Sequence, residues 1–182
     1  MLKHALVHDK RHWDLIKYIS PEEDIFGEKV IAESIEIKNT IVLSDPLEKN
    51  ERKKLNFGHT VGHAIEGYFL GEEELVAHGH AVAIGMLAES YISLQRGLLD
   101  QKDFDEIEAL VLKHFTIPYL TSALADDLFS LMQNDKKNFN QQVQCTLLSG
   151  IGQSLINQVI TKEDLNAVLI YMEKFNTKNG EA

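Results

Sequence analysis

The architecture of this chain turns on the segment Arg52-Lys53-Lys54-Leu55-Asn56-Phe57-Gly58-His59-Thr60-Val61-Gly62-His63-Ala64-Ile65-Glu66. From His59 to about Phe69 its apolar residues recur at helical spacing. His59 and His63 are four positions apart, which on a helix separates them by only ~40° in azimuth, so they share a face. A second pattern opens at His78-Gly79-His80, runs as a helix to about Arg96 and is closed by Gly97. Two imidazoles on one helix with a third on the next segment are a workable geometry for Zn²⁺, which takes nitrogen and carboxylate ligands. The spacing is similar to the HExxH pattern of metalloproteases, but position 60 is Thr, so the general base of that chemistry is missing. Spacing alone leaves metal ligation and ordinary packed histidines both open. Gly58, Gly62, Gly79 and Gly85 fall in or beside these helices, where each costs up to ~1 kcal/mol relative to Ala. Close helix packing or the approach of a ligand offsets such a cost.

The rest of the chain is mostly helical in pattern. Leu2, Leu6, Trp13 and Ile16 give the stripe of one leading helix, broken near Tyr18. Ser20-Pro21-Glu22-Glu23 is a helix start signal, and the helix it opens carries Ile25, Val30, Ile31, Ile35 and Ile37 and ends before Asp45-Pro46. A polar stretch from Leu47 to Lys54 comes next. Asp100 caps a helix reaching Phe115, and a shorter one covers Ser122 to Gln133. Val143, Cys145 and Leu147 alternate with polar residues ahead of Gly150-Ile151-Gly152, the signature of a small hairpin. Thr161 opens a last helix to about Phe175, and the tail to Ala182 frays. A GxGxxG turn between strand and helix is missing from the sequence. The expectation is a mainly α, multi-helix single domain over residues 1–182 with a small β-hairpin.

Composition narrows the function. The chain has 182 residues and a formal net charge of −10, with 44% hydrophobic residues. That is globular composition, and the acidic balance argues against a nucleic-acid partner. The single cysteine, Cys145, excludes an intrachain disulfide. No apolar run approaches the ~18–20 residues of a membrane span, and no signal-peptide core lies after Met1. A cytoplasmic protein without a membrane partner is expected. Lys3, Lys38, Arg52, Lys53, Lys54, Lys136 and Lys137 are candidates for an anion site, with Asn56 one turn after Arg52 and just ahead of His59.

The segment quoted first resembles the signature of the 3-dehydroquinate synthase family. His78-Gly79-His80-Ala81-Val82-Ala83-Ile84-Gly85-Met86 is similar to that family's second signature. Met1-Leu2-Lys3-His4-Ala5-Leu6 resembles the entry to its carboxy-terminal domain, and Asp135-Lys136-Lys137-Asn138 its late substrate-contacting loop. The resemblance implies the helical, zinc-holding carboxy-terminal domain of an enzyme that converts 3-deoxy-D-arabino-heptulosonate 7-phosphate into 3-dehydroquinate and phosphate in the shikimate pathway, a lyase reaction of aromatic amino acid biosynthesis. In that family a hydroxyl is oxidised by NAD⁺, phosphate is eliminated, the carbonyl is reduced again, and the ring opens and recloses by aldol addition. By the resemblance, His59 and His78 are metal ligands for Zn²⁺, with Co²⁺ an alternative. His63, Lys3, Lys38, Arg52 and Asn56 are residues of the catalytic site, and one of Lys136 and Lys137 contacts the phosphorylated keto-sugar acid.

Two departures shape the expectations. The family's third zinc ligand is a glutamate just before the position of Met1. It belongs, with the amino-terminal NAD-binding domain, to sequence that this chain does not include. The chain then reads as a piece of a longer enzyme or as a start placed at an internal methionine. On its own it is expected neither to bind NAD nor to turn over, and the full-length enzyme is expected to be a homodimer. Residue 80 is His where the family has Glu, which makes His80 a substitute ligand or a tolerated change. The rival readings are another sugar-phosphate cyclase of the 2-deoxy-scyllo-inosose or valiolone type, a more distant glycerol dehydrogenase-like enzyme, or a non-catalytic helical metal-binding module.

Overall fold

The computed structural model describes residues 1–18, 27–71, 75–134 and 142–176. Within them the helices are α1 (Leu2–His8), α2 (Lys10–Ile16), α3 (Glu28–Ser44), α4 (His59–Gly71), α5 (His78–Gln95), α6 (Gln101–His114), α7 (Ala125–Asn134) and α8 (Lys162–Met172). An antiparallel hairpin, β1 (Gln144–Gly150) and β2 (Gln153–Val159), sits between α7 and α8. The mainly helical fold with one small hairpin is as expected. Among the described residues no helix is long and apolar enough to cross a membrane.

Local chemistry sets most boundaries. Asp100 accepts from the Asp103 amide and starts α6, while Thr161 and Asp164 form a reciprocal capping box at α8. Gly97 adopts φ 67° just past α5. The leading helix differs from expectation. It is two short helices, because Asp9 leaves the helical conformation and its side chain accepts from the amides of Arg11 and His12. The stripe expected on α3 is also misplaced. Ile31 and Ile35 are exposed, and the buried line runs through Ser34, Ile37 and Ile41. The start signal at Ser20 and the tail lie outside the described residues. The polar stretch becomes a 3-10 segment, Glu51–Asn56, held by the Asp45 carboxylate, which accepts from the amides of Lys49, Asn50 and Arg52. In β1 the expected alternation fails, since Cys145, Thr146, Leu147 and Leu148 are all buried. That strand is covered on both faces, on one side by α5.

The centre of the fold is α5. Every residue from Ala81 to Ser90 is buried, and the helix touches α4, α6, α8 and β1. Its crossing with α4 leaves no room for side chains. A methyl at Gly85 would stand 2.0 Å from the Gly58 carbonyl oxygen and 2.7 Å from the Gly62 amide. The hairpin is fastened to the opposite end of the sequence: the Gly152 amide donates to the Leu6 carbonyl at 2.9 Å, and Ser154 Oγ to that of Val7 at 3.2 Å.

Gly85→Ala should cost about 3 kcal/mol or more in stability, since the clash is with backbone that cannot rotate away. Gly79→Ala, where nothing stands within 4 Å of the added methyl, should be neutral or stabilising by up to about 1 kcal/mol. Urea denaturation of the two variants checks the contrast.

Candidate metal centre

Helix α4 begins at His59 and presents His59 and His63 one turn apart. Helix α5 begins at His78. Because the two helices cross at glycines, the first turn of α5 lies against α4 and the three rings meet. Their centroids are 5.2, 5.7 and 5.6 Å apart, and one ligand atom from each falls within 4.8 Å of the others. His59 Nδ1 lies 3.2 Å from the Phe57 carbonyl oxygen and His78 Nδ1 2.9 Å from Glu66 Oε2. Both oxygens accept, so each Nδ1 carries the proton and each Nε2 keeps its lone pair. A carboxylate or carbonyl behind the imidazole is the usual support for a metal-ligating histidine. Burial first and the Lys3 ammonium second bring the His59 imidazole down to about 4, so it is neutral at physiological pH. Imidazoles that converge in this way, two of them with the Nε2 lone pair free of the proton, fit a Zn²⁺ or Co²⁺ ion.

Beside the cluster lies a cavity of about 300 Å³ between α4, the 3-10 segment and the hairpin. Its walls include Glu48, Lys53, Asn56, His63, Thr146 and Asn157. Asn56 donates to Glu48 Oε1 at 2.7 Å, and Lys53 Nζ to Asn157 Oδ1 at 2.8 Å. The pocket is therefore lined by donors, an acceptor and a cation, the mixture a hydroxylated anion requires.

Of the residues singled out from the sequence, Lys53, Asn56, His59 and His63 line this cavity, and His78 completes the histidine cluster. Lys3 Nζ stands 3.4 Å from His59 Nε2. Lys38 is exposed on α3, and its charge acts on His4. The Arg52 guanidinium donates to the Pro46 carbonyl at 2.9 Å and does not line the cavity. Lys136 and Lys137 lie outside the described residues. His80 does not join the cluster. Its Nε2 donates to the Thr116 carbonyl, and its ring packs edge-on against Phe115. The substitute-ligand reading of His80 is thereby corrected, and the third imidazole of the cluster is His63.

Three carboxylates near the site escape a reading of the sequence. Glu66 shares the α4 face of His59 and His63, so its spacing could have revealed it. Glu48 gives no signal. Glu89 is visible as a lone acid in a long apolar run, and it is fully buried. Burial pushes its carboxyl up to about 8, while the amides of Gly58, Val61 and Thr60 pull the other way.

His4, whose Nδ1 lies 2.8 Å from Ser34 Oγ, is also lowered to about 4, chiefly by burial and then by nearby cationic groups. Its folded value lies below the unfolded 6.5. Its contribution to stability is therefore present above pH 6.5 and lost as pH falls towards 4. Glu89 works in the opposite sense, its contribution being lost as pH rises from 4.5 to about 8. The stability difference between wild type and His4→Gln isolates the histidine. In urea titrations without metal it should be largest above pH 6.5 and shrink towards pH 4. A difference that does not vary with pH would contradict this.

Comparison with known proteins gives a consistent result. The 3-dehydroquinate synthase of Parabacteroides distasonis is 31% identical over 178 residues, covering 96% of this chain and 50% of that protein. That of Streptococcus mutans is 36% identical over 170 residues, covering 90% and 46%. The chain thus spans about half the length of these relatives. Among solved structures, the 2-epi-5-epi-valiolone synthase of Streptomyces hygroscopicus subsp. jinggangensis, with NAD⁺ and Zn²⁺ bound, matches with a TM-score of 0.78 at 22% identity, over 96% of this chain and 49% of that one. A 2-deoxy-scyllo-inosose synthase complexed with carbaglucose-6-phosphate, NAD⁺ and Co²⁺ matches with 0.69 at 23%, with the same coverage. At those identities the likeness is one of fold. The profile described as 3-dehydroquinate synthase C-terminal matches residues 1–138, and with that match the chain belongs to the 3-dehydroquinate synthase C-terminal family.

Proposed function

We propose that this chain is the metal- and substrate-binding half of a 3-dehydroquinate synthase, which converts 3-deoxy-D-arabino-heptulosonate 7-phosphate into 3-dehydroquinate and phosphate. The observation that carries the proposal is the convergence of His59, His63 and His78 within 4.8 Å beside a polar cavity. His59 and His78 would hold the metal. A Zn²⁺ or Co²⁺ ion, when bound, supplies Lewis-acid polarisation of the substrate hydroxyls it touches. His63 stands against the same cavity and exchanges a proton with a substrate hydroxyl, as an imidazole at neutral pH is suited to do.

The cavity sorts the substrate by charge and by hydroxyl. Asn56 and Glu48, already bonded to one another, offer a donor and an acceptor to adjacent hydroxyls. Lys3 sets a positive charge beside His59 and draws a carboxylate or phosphate towards the histidines. Lys38 and Arg52 add cationic charge from α3 and the 3-10 segment, and Arg52 can meet an oxyanion with two parallel hydrogen bonds. We assign a further substrate contact to Lys136 or Lys137. The oxidation and re-reduction need a hydride carrier, and we assign NAD⁺ to the half of the parent enzyme that this chain does not span.

The test is phosphate release by the enzyme carrying this chain. Release should occur with the heptulosonate phosphate, stop on chelation and return with Zn²⁺ or Co²⁺. His63→Ala should lower kcat about 100-fold or more with its metal content retained, whereas His59→Ala and His78→Ala should lose the metal itself. Release from a hexose 6-phosphate instead would assign the enzyme to the inosose-type cyclases.

A further inference from the structure

We propose that Glu89 is a positioning residue of the histidine site: from inside α5 its carboxyl group clamps the backbone turn that launches His59 and His63. The inference rests on the reading of His59 and His78 as metal ligands with His63 beside them.

The first turn of every helix leaves backbone amides without intrahelical partners. Three helices of this fold meet that need locally, with Asp9 for α2, Asp100 for α6 and Thr161 for α8. Helix α4 cannot. The residue before His59 is Gly58, at φ +79°, and a methyl there would stand 2.4 Å from Met86 Cγ and 2.7 Å from the Val82 carbonyl oxygen. No side chain fits at the position from which a cap would act. The acceptor therefore comes from the neighbouring helix. Glu89 Oε2 accepts from the Gly58 amide at 2.8 Å, and Oε1 from the Val61 amide at 3.5 Å.

A carboxylate in such a place is expensive. Glu89 is 0% exposed and stands in a helix whose neighbours are almost all apolar. The turn it holds is the one that carries the histidines. Gly58 is the middle of Phe57-Gly58-His59, and the His59 ring is itself fixed by the Phe57 carbonyl. Pinning the Gly58 amide holds that turn, hence the direction of His59, and through the first turn of α4 the direction of His63.

The measurement is Zn²⁺ affinity of the full chain, by competition with a chromophoric chelator, together with the visible absorption of the Co²⁺ form. Glu89→Gln, nearly identical in shape, should weaken Zn²⁺ about tenfold and shift the Co²⁺ bands; Glu89→Met, with no acceptor, should weaken it about 100-fold. Ile107→Val, in the core away from the turn, lowers stability in general and should leave both readouts unchanged. Should Glu89→Met fail to fold, the glutamine variant carries the test. Wild-type affinity and wild-type Co²⁺ bands in Glu89→Gln would overturn the inference alone. A wild-type chain that takes up neither ion would overturn the metal reading, and this inference with it.

Discussion

Two helices meet in this protein with only backbone between them. Gly85 on α5 faces Gly58 and Gly62 at the start of α4, and each would collide with main chain if it carried a methyl group. Such an approach costs helix propensity and gives up side-chain burial at three positions. In return it fixes the distance between α4 and α5 within the length of a peptide group. The histidine cluster exists because of that distance.

The same contact creates its own difficulty, and the structure resolves it with a buried acid. A glycine before His59 leaves the α4 amides bare, and an acid buried in the adjacent helix answers them. Around the histidines the Lys3 ammonium stands beside His59, the Glu66 carboxylate accepts from His78, and the Glu89 carboxyl group lies beneath the turn before His59.

Much of this was legible in the residues. Helical periodicity located α4 to α8 within a few positions, and Asp100, Gly97 and Thr161 marked boundaries through capping chemistry that acts locally. The histidine pair at i and i+4 was legible because a helix converts spacing into a shared face. What failed depended on partners distant in the chain. Ile31 and Ile35 looked like core until the neighbours of α3 were known; Asp9, whose side chain caps the next turn, is the local exception that split a helix whose apolar stripe ran on unbroken. His80, in the second histidine motif, turned to Thr116, because its position on α5 points towards the α6 end and not towards α4. The cavity wall formed by Lys53, Thr146 and Asn157 joins residues about a hundred positions apart, and no local pattern announces such a meeting.

The hairpin's attachment to Leu6 and Val7 also shapes how the molecule is made. The bond from Ser154 to Val7 spans 147 positions, so the wall it supports closes only when nearly the whole chain has condensed. The helical pairing of α4 with α5 joins near neighbours in sequence and has a far smaller entropic hurdle. The histidine cluster thus rests on contacts close together in sequence, while the chamber beside it rests on contacts that tie the two ends of the chain together.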